Sequence, residues 1–550
     1  MPPIRLAAVR DRVGHFVNRA ATELIADRQP SEPGLGLRRI LEEQAVALGD
    51  APFASLPDGS LSFRGVNLLA NRAANVLSSR GVRPGDVVPV LSGNRLAVLA
   101  VWFGCAKLGA VFCPINALLT GDQLLRVLDQ AGGRVIVCEA SRQDEIATQA
   151  ASLPRMDSLL VTGTNGPESF DSLLEAASEL TPLPLDSDPG APCKLMFTSG
   201  TTGWPKGVIW SRTCETTWAR AYGDELIPID RGESIYTALP LFHVTAQGTV
   251  QAALWRGGQV TVDSGFDPFM FWDRVRAANA VAFTYVGTIL STLVRRPPRP
   301  DDGDNPVRLI VGAAAPKDRW AEIESRFGAR IVETWGQTET ASCWMRPERL
   351  PQRPGSVGVP SPNMEVRLVR PSGSEAGPGR VGELWIRPRA PHIIFEGYFR
   401  EGPLQLEDGW YPTGDLLREG AGGEFEFVGR LREAIRRRGE MIPAGVVEEA
   451  ALAHPDVLEA AAVAVPDEVA VEEEIKLCIV TREGAPIDPA QLLSFLRVRL
   501  PRFMVPRYIE IRSQLPKTPS TRIRRLELSL QGTDAAWDAK GRRPASNSRP

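Results

Sequence analysis

Residues 195–208, LMFTSGTTGWPKGV, bring together what a phosphate needs from a protein. An apolar run feeds a loop containing Thr198, Ser199, Gly200, Thr201, Thr202 and Gly203, and Lys206 follows. Small residues let the main chain approach an anion closely, while hydroxyls and exposed N–H groups donate to phosphate oxygens. Lys206 can add a positive charge. A flexible Gly/Thr turn would explain the composition, but not the strand before it or the lysine after it. This is not the GxxxxGK[ST] loop, because Lys206 is followed by Gly207. No GxGxxG, GxSxG or HExxH match occurs in the chain. Phosphate binding is the expected chemistry.

Five more segments follow in order: 239–243 (LPLFH), 312–316 (GAAAP), 333–340 (ETWGQTET), 410–415 (WYPTGD) and 429–440 (GRLREAIRRRGE). With FTSGTTGWPKG they resemble the ordered motifs of the acyl-adenylate-forming superfamily, across about residues 35–530. FDPFMFWDRVRAANAVAFTYVGTIL and RPDDGDNPVRLIVGAAAP look most similar to its carnitine-CoA-ligase-like and fatty-acid-transport-like branches. The resemblance implies an AMP-forming acyl-CoA synthetase. A carboxylic acid and ATP would give acyl-AMP and pyrophosphate, and the CoA thiol would then displace AMP. Two relatives of that reading stay open: a ligase loading a carrier protein's thiol arm, and a non-catalytic nucleotide or acyl-adenylate binder.

Roles follow from the resemblance residue by residue. Thr198 to Lys206 would meet the phosphates, Thr338 the α-phosphate, and Glu339 would be the Mg²⁺ ligand. Backbone donors, hydroxyls and a metal can offset charge that develops as pyrophosphate leaves. Trp335 stands where the family usually has tyrosine; it could stack on adenine or simply pack in the core. Gly312, Ala314 and Ala315 would line the base, with Asp415 and Arg430 at the ribose. His243 would sit at the acyl pocket, although a lone histidine is more often a packed residue. Phe283, Tyr285, Val286 and Gly287, with Gly336, are expected at the pocket wall, or in ordinary core. Arg432 matches the family hinge, about which a C-terminal domain would rotate. In LPKTPSTRIRR (515–525), Thr521-Arg522 stands where the family usually has Gly-Lys. Arg522 keeps the charge expected to bridge carboxylate and phosphate, on a wider planar head. Val446 replaces a usual glutamate.

These residues need a scaffold, and its texture is legible. Residues 68–77 (LLANRAANVL) have helical spacing, and 87–91 and 134–138 read as strands. The apolar stretch 96–115 is long enough to span a bilayer, but Lys107 and Gly109 divide it into a buried helix and a short strand. Alternating helices and β-branched runs favour an α/β domain with mainly parallel sheets. Beyond Arg380 the pattern turns β-rich at 381–387 and 424–428. A helix at 447–453, strands at 457–465 and 475–480, and a helix at 489–500 suggest a small mobile α+β domain. The expected organisation is an N-terminal extension (1–34), an adenylation domain (35–431), a C-terminal domain (432–530) and a disordered tail (531–550). Residues 181–193 and 295–306 are expected to be surface connectors.

Composition bounds the partners. In 550 residues, 63 Lys+Arg against 66 Asp+Glu leave a net charge of −3. That argues against a nucleic-acid binder. Seven scattered cysteines without a CxxC pair argue against a disulfide scaffold or zinc cluster. With no secretory apolar core near the start, a soluble, cytoplasmic enzyme is expected.

Overall fold

The computed structural model describes residues 36–182, 188–198, 205–431, 434–437, 440–466, 473–483, 485–500, 502–517 and 523–541. The described residues form two compact units, one within 1–365 and 387–411, the other within 366–386 and 412–550.

The first unit carries two large sheets with helices between and around them. One runs, in spatial order, Gly402–Pro403, Gly397–Tyr398, Lys206–Ser211, Pro192–Thr198, Val111–Pro114, Val87–Leu91, Val135–Glu139 and Ser158–Thr162. Its interior pairs are parallel, whereas Pro192–Thr198, Lys206–Ser211 and Gly397–Tyr398 run antiparallel to one another. The other sheet orders Arg330–Glu333, Leu309–Ala313, Ala280–Val286, Ser234–Thr237, Gln259–Val262, Pro52–Leu56 and Gly59–Ser62. It is parallel except at its last pair. Strands covered on both faces must be apolar throughout, which is why VFCP and VIVC lack alternation.

The 96–115 stretch divides as its glycine requires. Helix Leu96–Leu108 ends at Gly109, whose φ of 76° is the left-handed conformation that glycine adopts without cost. Its N–H bonds back to Cys105, and strand Val111–Pro114 follows inside the parallel sheet. Among the described residues no helix is long and apolar enough to cross a membrane. Helix Phe63–Ser79 covers the expected 68–77 and starts at Ser62, whose side chain accepts from Gly65 N. The 295–306 connector is less superficial than its Pro/Asp content suggests. Asp302 is buried and ion-paired with Arg326 at 2.7 Å, which anchors the connector.

In the second unit, strands Met364–Val369, Val381–Pro388, Tyr411–Glu419 and Phe425–Arg430 form one sheet. Phe425–Arg430 packs on helix Ala444–Leu452. The β-rich stretch therefore groups with the C-terminal residues, which differs from the boundary expected at residue 431. Val457–Pro466, Glu473–Thr481, Tyr508–Arg512 and Trp537–Asp538 form a second sheet. The last strand corrects the expected tail for residues 531–541. Trp537 pairs with Ile509, and Asp538 holds Arg507 at 3.1 Å, giving polar residues a partner that periodicity cannot reveal. Residues 542–550 lie outside the described residues.

The strand that leads to the Gly/Thr loop is fixed by a buried charge. Lys194 and Glu215 are almost wholly buried and lie 2.8 Å apart. The Lys194 ammonium sits 4.6 Å from the Trp102 ring and 5.1 Å from that of Trp210. Trp102 Nε1 and Gln251 Nε2 donate to the same carboxylate at 2.9 and 3.3 Å. Such a pair adds little over an apolar substitute, but removing one partner strands the other charge. All seven cysteines are buried and free. Glu215→Ala is expected to destabilise the chain by about 3–5 kcal/mol, read as a lower urea midpoint in tryptophan fluorescence. Lys194→Met combined with Glu215→Leu should recover most of that loss.

Candidate active site

Thr198 and Lys206 face each other as the register partners that close the Pro192–Thr198/Lys206–Ser211 hairpin. Antiparallel pairing thus brings both ends of the Gly/Thr loop to one place. Ser199, Gly200, Thr201, Thr202 and Gly203 lie outside the described residues. The Lys206 ammonium is 2.9 Å from Glu401 and 4.5 Å from the centre of the Tyr398 ring.

The 333–340 motif reaches the same hairpin. Trp210, on the Lys206 strand, donates from its indole to the Thr338 carbonyl at 2.7 Å. Below that contact Trp210, Trp218 and Trp344 pack with ring centres 5.2 and 5.0 Å apart in sequence. Glu339 accepts from the Tyr398 hydroxyl at 3.1 Å, and its backbone oxygen accepts from Phe395 N at 3.0 Å. Tyr398 itself pairs with Val208 on the Lys206 strand. Burial pushes the Tyr398 phenol up, and the negative charge of Glu339 adds to that, so it remains a donor. Lys206, the Thr338 carbonyl and Glu339 therefore all meet strand Lys206–Ser211 or its neighbour Gly397–Tyr398.

The 312–316 motif is held by a second carboxylate. Glu333 accepts from Ala314 N at 2.5 Å, from Ala315 N at 3.0 Å and from the Tyr285 hydroxyl. Burial pushes Glu333 up while those three donors pull it down, and burial wins. A Cβ on Gly312 would stand 2.1 Å from the Tyr285 carbonyl, so only glycine lets these strands approach. Ala314 takes the left-handed conformation with φ of 67°, turning two consecutive N–H groups onto Glu333. Trp335 is buried and bridges to Met345 by backbone hydrogen bonds, while Gly336 beside it is exposed.

The expected pocket wall divides. Phe283 is fully buried under Phe271 and Trp272, with ring centres 5.0 and 5.8 Å away, so it belongs to the core. The pattern of strand Ala280–Val286 explains this: the strand is sealed along its length and opens at Val286, which is exposed. Tyr285 is likewise buried and spends its hydroxyl on Glu333. Gly287 lies against Ala314, whose carbonyl would be 2.2 Å from an added Cβ. His243 is exposed at the start of helix Val244–Arg256, with its ring 4.5 Å from Phe242. Asn94 holds this PLFH turn, accepting from Leu241 N at 2.8 Å and donating to Leu239 O at 3.1 Å.

In the second unit Asp415 and Arg430 are register partners with a 3.1 Å ion pair, so the two expected ribose contacts meet each other. Val446 is half-buried against the core of this unit, a site where a glutamate would have to shed water. Lys517 is held by Glu459 at 2.7 Å. Arg432 and Arg522 lie outside the described residues. Three residues had escaped the sequence reading: Glu333, Tyr398 and Glu401. Glu333 was inside a quoted motif with nothing to set it apart. Tyr398 and Glu401 sit in FEGYFREG, whose partners are distant in sequence and leave no spacing signal.

Residues 41–399 match the family of AMP-binding enzymes, and residues 446–522 match the AMP-binding enzyme C-terminal domain. A sulfoacetate–CoA ligase of Cupriavidus necator is 32% identical over 513 residues, covering 90% of this chain and 97% of that protein. A crotonobetaine/carnitine–CoA ligase of Salmonella choleraesuis is 29% identical over 525 residues, covering 89% and 98%. The structure of ATP-bound MatB from Rhodopseudomonas palustris superposes with a TM-score of 0.79 at 25% identity, covering 90% of this chain and 98% of that one.

Glu333→Ala would leave two backbone N–H groups and a phenol without their acceptor, at about 1–3 kcal/mol for each group that stays buried. The expected result is a lower thermal midpoint together with weaker nucleotide binding by calorimetry. Tyr285→Phe, which removes one donor, should show a smaller loss in both.

Proposed function

The chain belongs to the AMP-binding enzyme family, and on that premise we infer that it is an ATP-dependent acid–thiol ligase. It activates a carboxylic acid with ATP and passes the acyl group to CoA, in keeping with the CoA ligases it resembles over nearly its whole length. The observation that supports the residue assignment is that Thr198 and Lys206 close one hairpin, on which the Thr338 carbonyl rests, while Glu339 is bonded to Tyr398 on the adjoining strand.

In this reading the acid oxygen attacks the α-phosphorus of ATP, the bond to pyrophosphate breaks, and acyl-AMP remains. The CoA sulfur then attacks the acyl carbon and AMP departs. Lys206 holds phosphate charge, giving up a half-exposed contact to Glu401 whose worth is only ~0–1 kcal/mol. Thr338 meets the α-phosphate, and the Gly312–Ala315 turn faces the base, with the Ala314 and Ala315 N–H groups already committed to Glu333. His243 stands at the mouth of the acyl site. Asp415 and Arg430 serve the ribose, Arg432 the hinge, and Arg522 brings its charge to the two anions during adenylation.

The donor set suits Mg²⁺. Glu339 offers one carboxylate, and among the described residues no group of three or more His, Cys, Asp or Glu could hold a metal. Mg²⁺ keeps several waters and binds through one or two carboxylates plus substrate phosphates. When bound it would neutralise charge on the phosphates. Seven free, buried cysteines favour a reducing, cytoplasmic setting. The acids named for the relatives range from sulfoacetate to crotonobetaine and medium- or long-chain fatty acids, so the acid here is chosen by experiment.

Purified protein with ATP, Mg²⁺ and a panel of short, long-chain, aryl, sulfonated and betaine-type acids should release pyrophosphate only when the right acid is present. Addition of CoA should then yield the acyl-CoA mass. ATP binding without pyrophosphate release from any acid would make this a non-catalytic binder; thioester on a carrier protein but never on CoA would change the acceptor. Arg522→Ala is expected to slow acyl-AMP formation at least tenfold more than thioester formation from preformed acyl-AMP, roughly the loss of one charge-assisted contact. Lys517→Ala, measured in parallel, should leave both half-reactions near the unmodified rate because Lys517 already serves Glu459.

A further inference from the structure

Tyr398 touches both ends of the expected phosphate machinery. Its backbone is pinned on two sides, paired with Val208 on the Lys206 strand and with Gly402 across a tight turn. Phe399 N donates to Gly207 O at 2.7 Å, fastening the same turn to the base of the Gly/Thr loop. The ring packs against Phe395 with centres 5.1 Å apart. From this fixed place the hydroxyl donates to Glu339 at 3.1 Å, and the ring face lies 4.5 Å below the Lys206 ammonium.

A phenol suits this position for a definite reason. A carboxylate destined for a cation must be aimed, yet its charge must not be spent beforehand. A lysine or arginine donor would aim Glu339 but offset its charge. The Tyr398 hydroxyl aims it and leaves the charge in place, because hydrogen bonding to an ionised acceptor is strong while the donor stays neutral. The π face meanwhile attracts Lys206 from below, while Glu401 holds the same ammonium at 2.9 Å until a phosphate takes its place. One residue therefore touches both a cation and an anion of the expected site. Resting on the assignment of Glu339 to Mg²⁺ and Lys206 to phosphate, we propose that Tyr398 is a positioning residue that sets Glu339 for the metal through its hydroxyl and Lys206 for the nucleotide through its ring.

The two contacts separate by substitution. Tyr398→Phe keeps the ring and its packing but loses the hydroxyl, while Tyr398→Leu loses both. Binding is measured with Mn²⁺ as the probe, following the free-ion electron paramagnetic resonance signal with enzyme and a non-hydrolysable ATP analogue. The same analogue is titrated calorimetrically without metal. Circular dichroism and thermal melting identify folded protein. Tyr398→Phe should weaken Mn²⁺ binding roughly tenfold, the size of one hydrogen bond to a charged group, and leave metal-free analogue binding within twofold. Tyr398→Leu should weaken both. Unchanged Mn²⁺ affinity in Tyr398→Phe, with a loss in Glu339→Gln, overturns the positioning role and keeps Glu339 as the ligand. Equal losses of metal and metal-free binding in Tyr398→Phe also overturn it, as those would report general disturbance. Unchanged Mn²⁺ affinity in Glu339→Gln removes the metal assignment itself, and this proposal with it.

Discussion

Two phenols donate hydrogen bonds to two carboxylates, Tyr285 to Glu333 and Tyr398 to Glu339, and the first unit's expected site residues are arranged around those contacts. A protein that receives a polyanion cannot place bare carboxylates beside it without cost, since like charges repel and burial disfavours ionisation. Neutral donors answer both problems. They satisfy the carboxylate oxygens and fix their direction, yet add no charge of their own. Glu333 uses this to fasten the turn carrying Ala314 and Ala315 to the neighbouring strand. Glu339 uses it to stand at a defined angle to the Lys206 hairpin.

The sheets bring these groups together. Parallel strands Ala280–Val286, Leu309–Ala313 and Arg330–Glu333 end together, so Tyr285, Gly312 and Glu333 arrive in register. In the other sheet the topology changes from parallel to antiparallel at Pro192–Thr198, which allows a short loop to return as Lys206–Ser211. A parallel pair would have required a long crossover instead. The buried Lys194–Glu215 pair at the start of that hairpin, wedged between tryptophans, fixes where the strand begins.

Much of this was legible in the residues, and the reasons for the exceptions are physical. Gly109 announced the end of a helix because its conformation is local, and the strand at 135–139 announced itself through β-branched residues. The ordered motifs made the family legible, which the match of residues 41–399 bears out. Phe283 could not be assigned to wall or core, since an apolar side chain is the same in both until its neighbours Phe271 and Trp272 are known. The strand at 537–538 lay hidden in a polar stretch because its partners, Tyr508 and Ile509, come from another part of the chain. Tyr398 and Glu401 were invisible for the same reason: their meaning is wholly in contacts far along the sequence.

The burial of every cysteine acquires a meaning once the product of the first step is considered. An acyl-adenylate is an electrophile that any accessible thiolate would intercept. Here Cys105, Cys113, Cys138, Cys193, Cys214, Cys343 and Cys478 are all enclosed, and burial pushes each thiol up, to about 12 for Cys138 and Cys478. At neutral pH these groups stay protonated and out of reach, and the thiolate is the reactive form. The incoming CoA sulfur thus meets no rival cysteine thiolate from the chain itself.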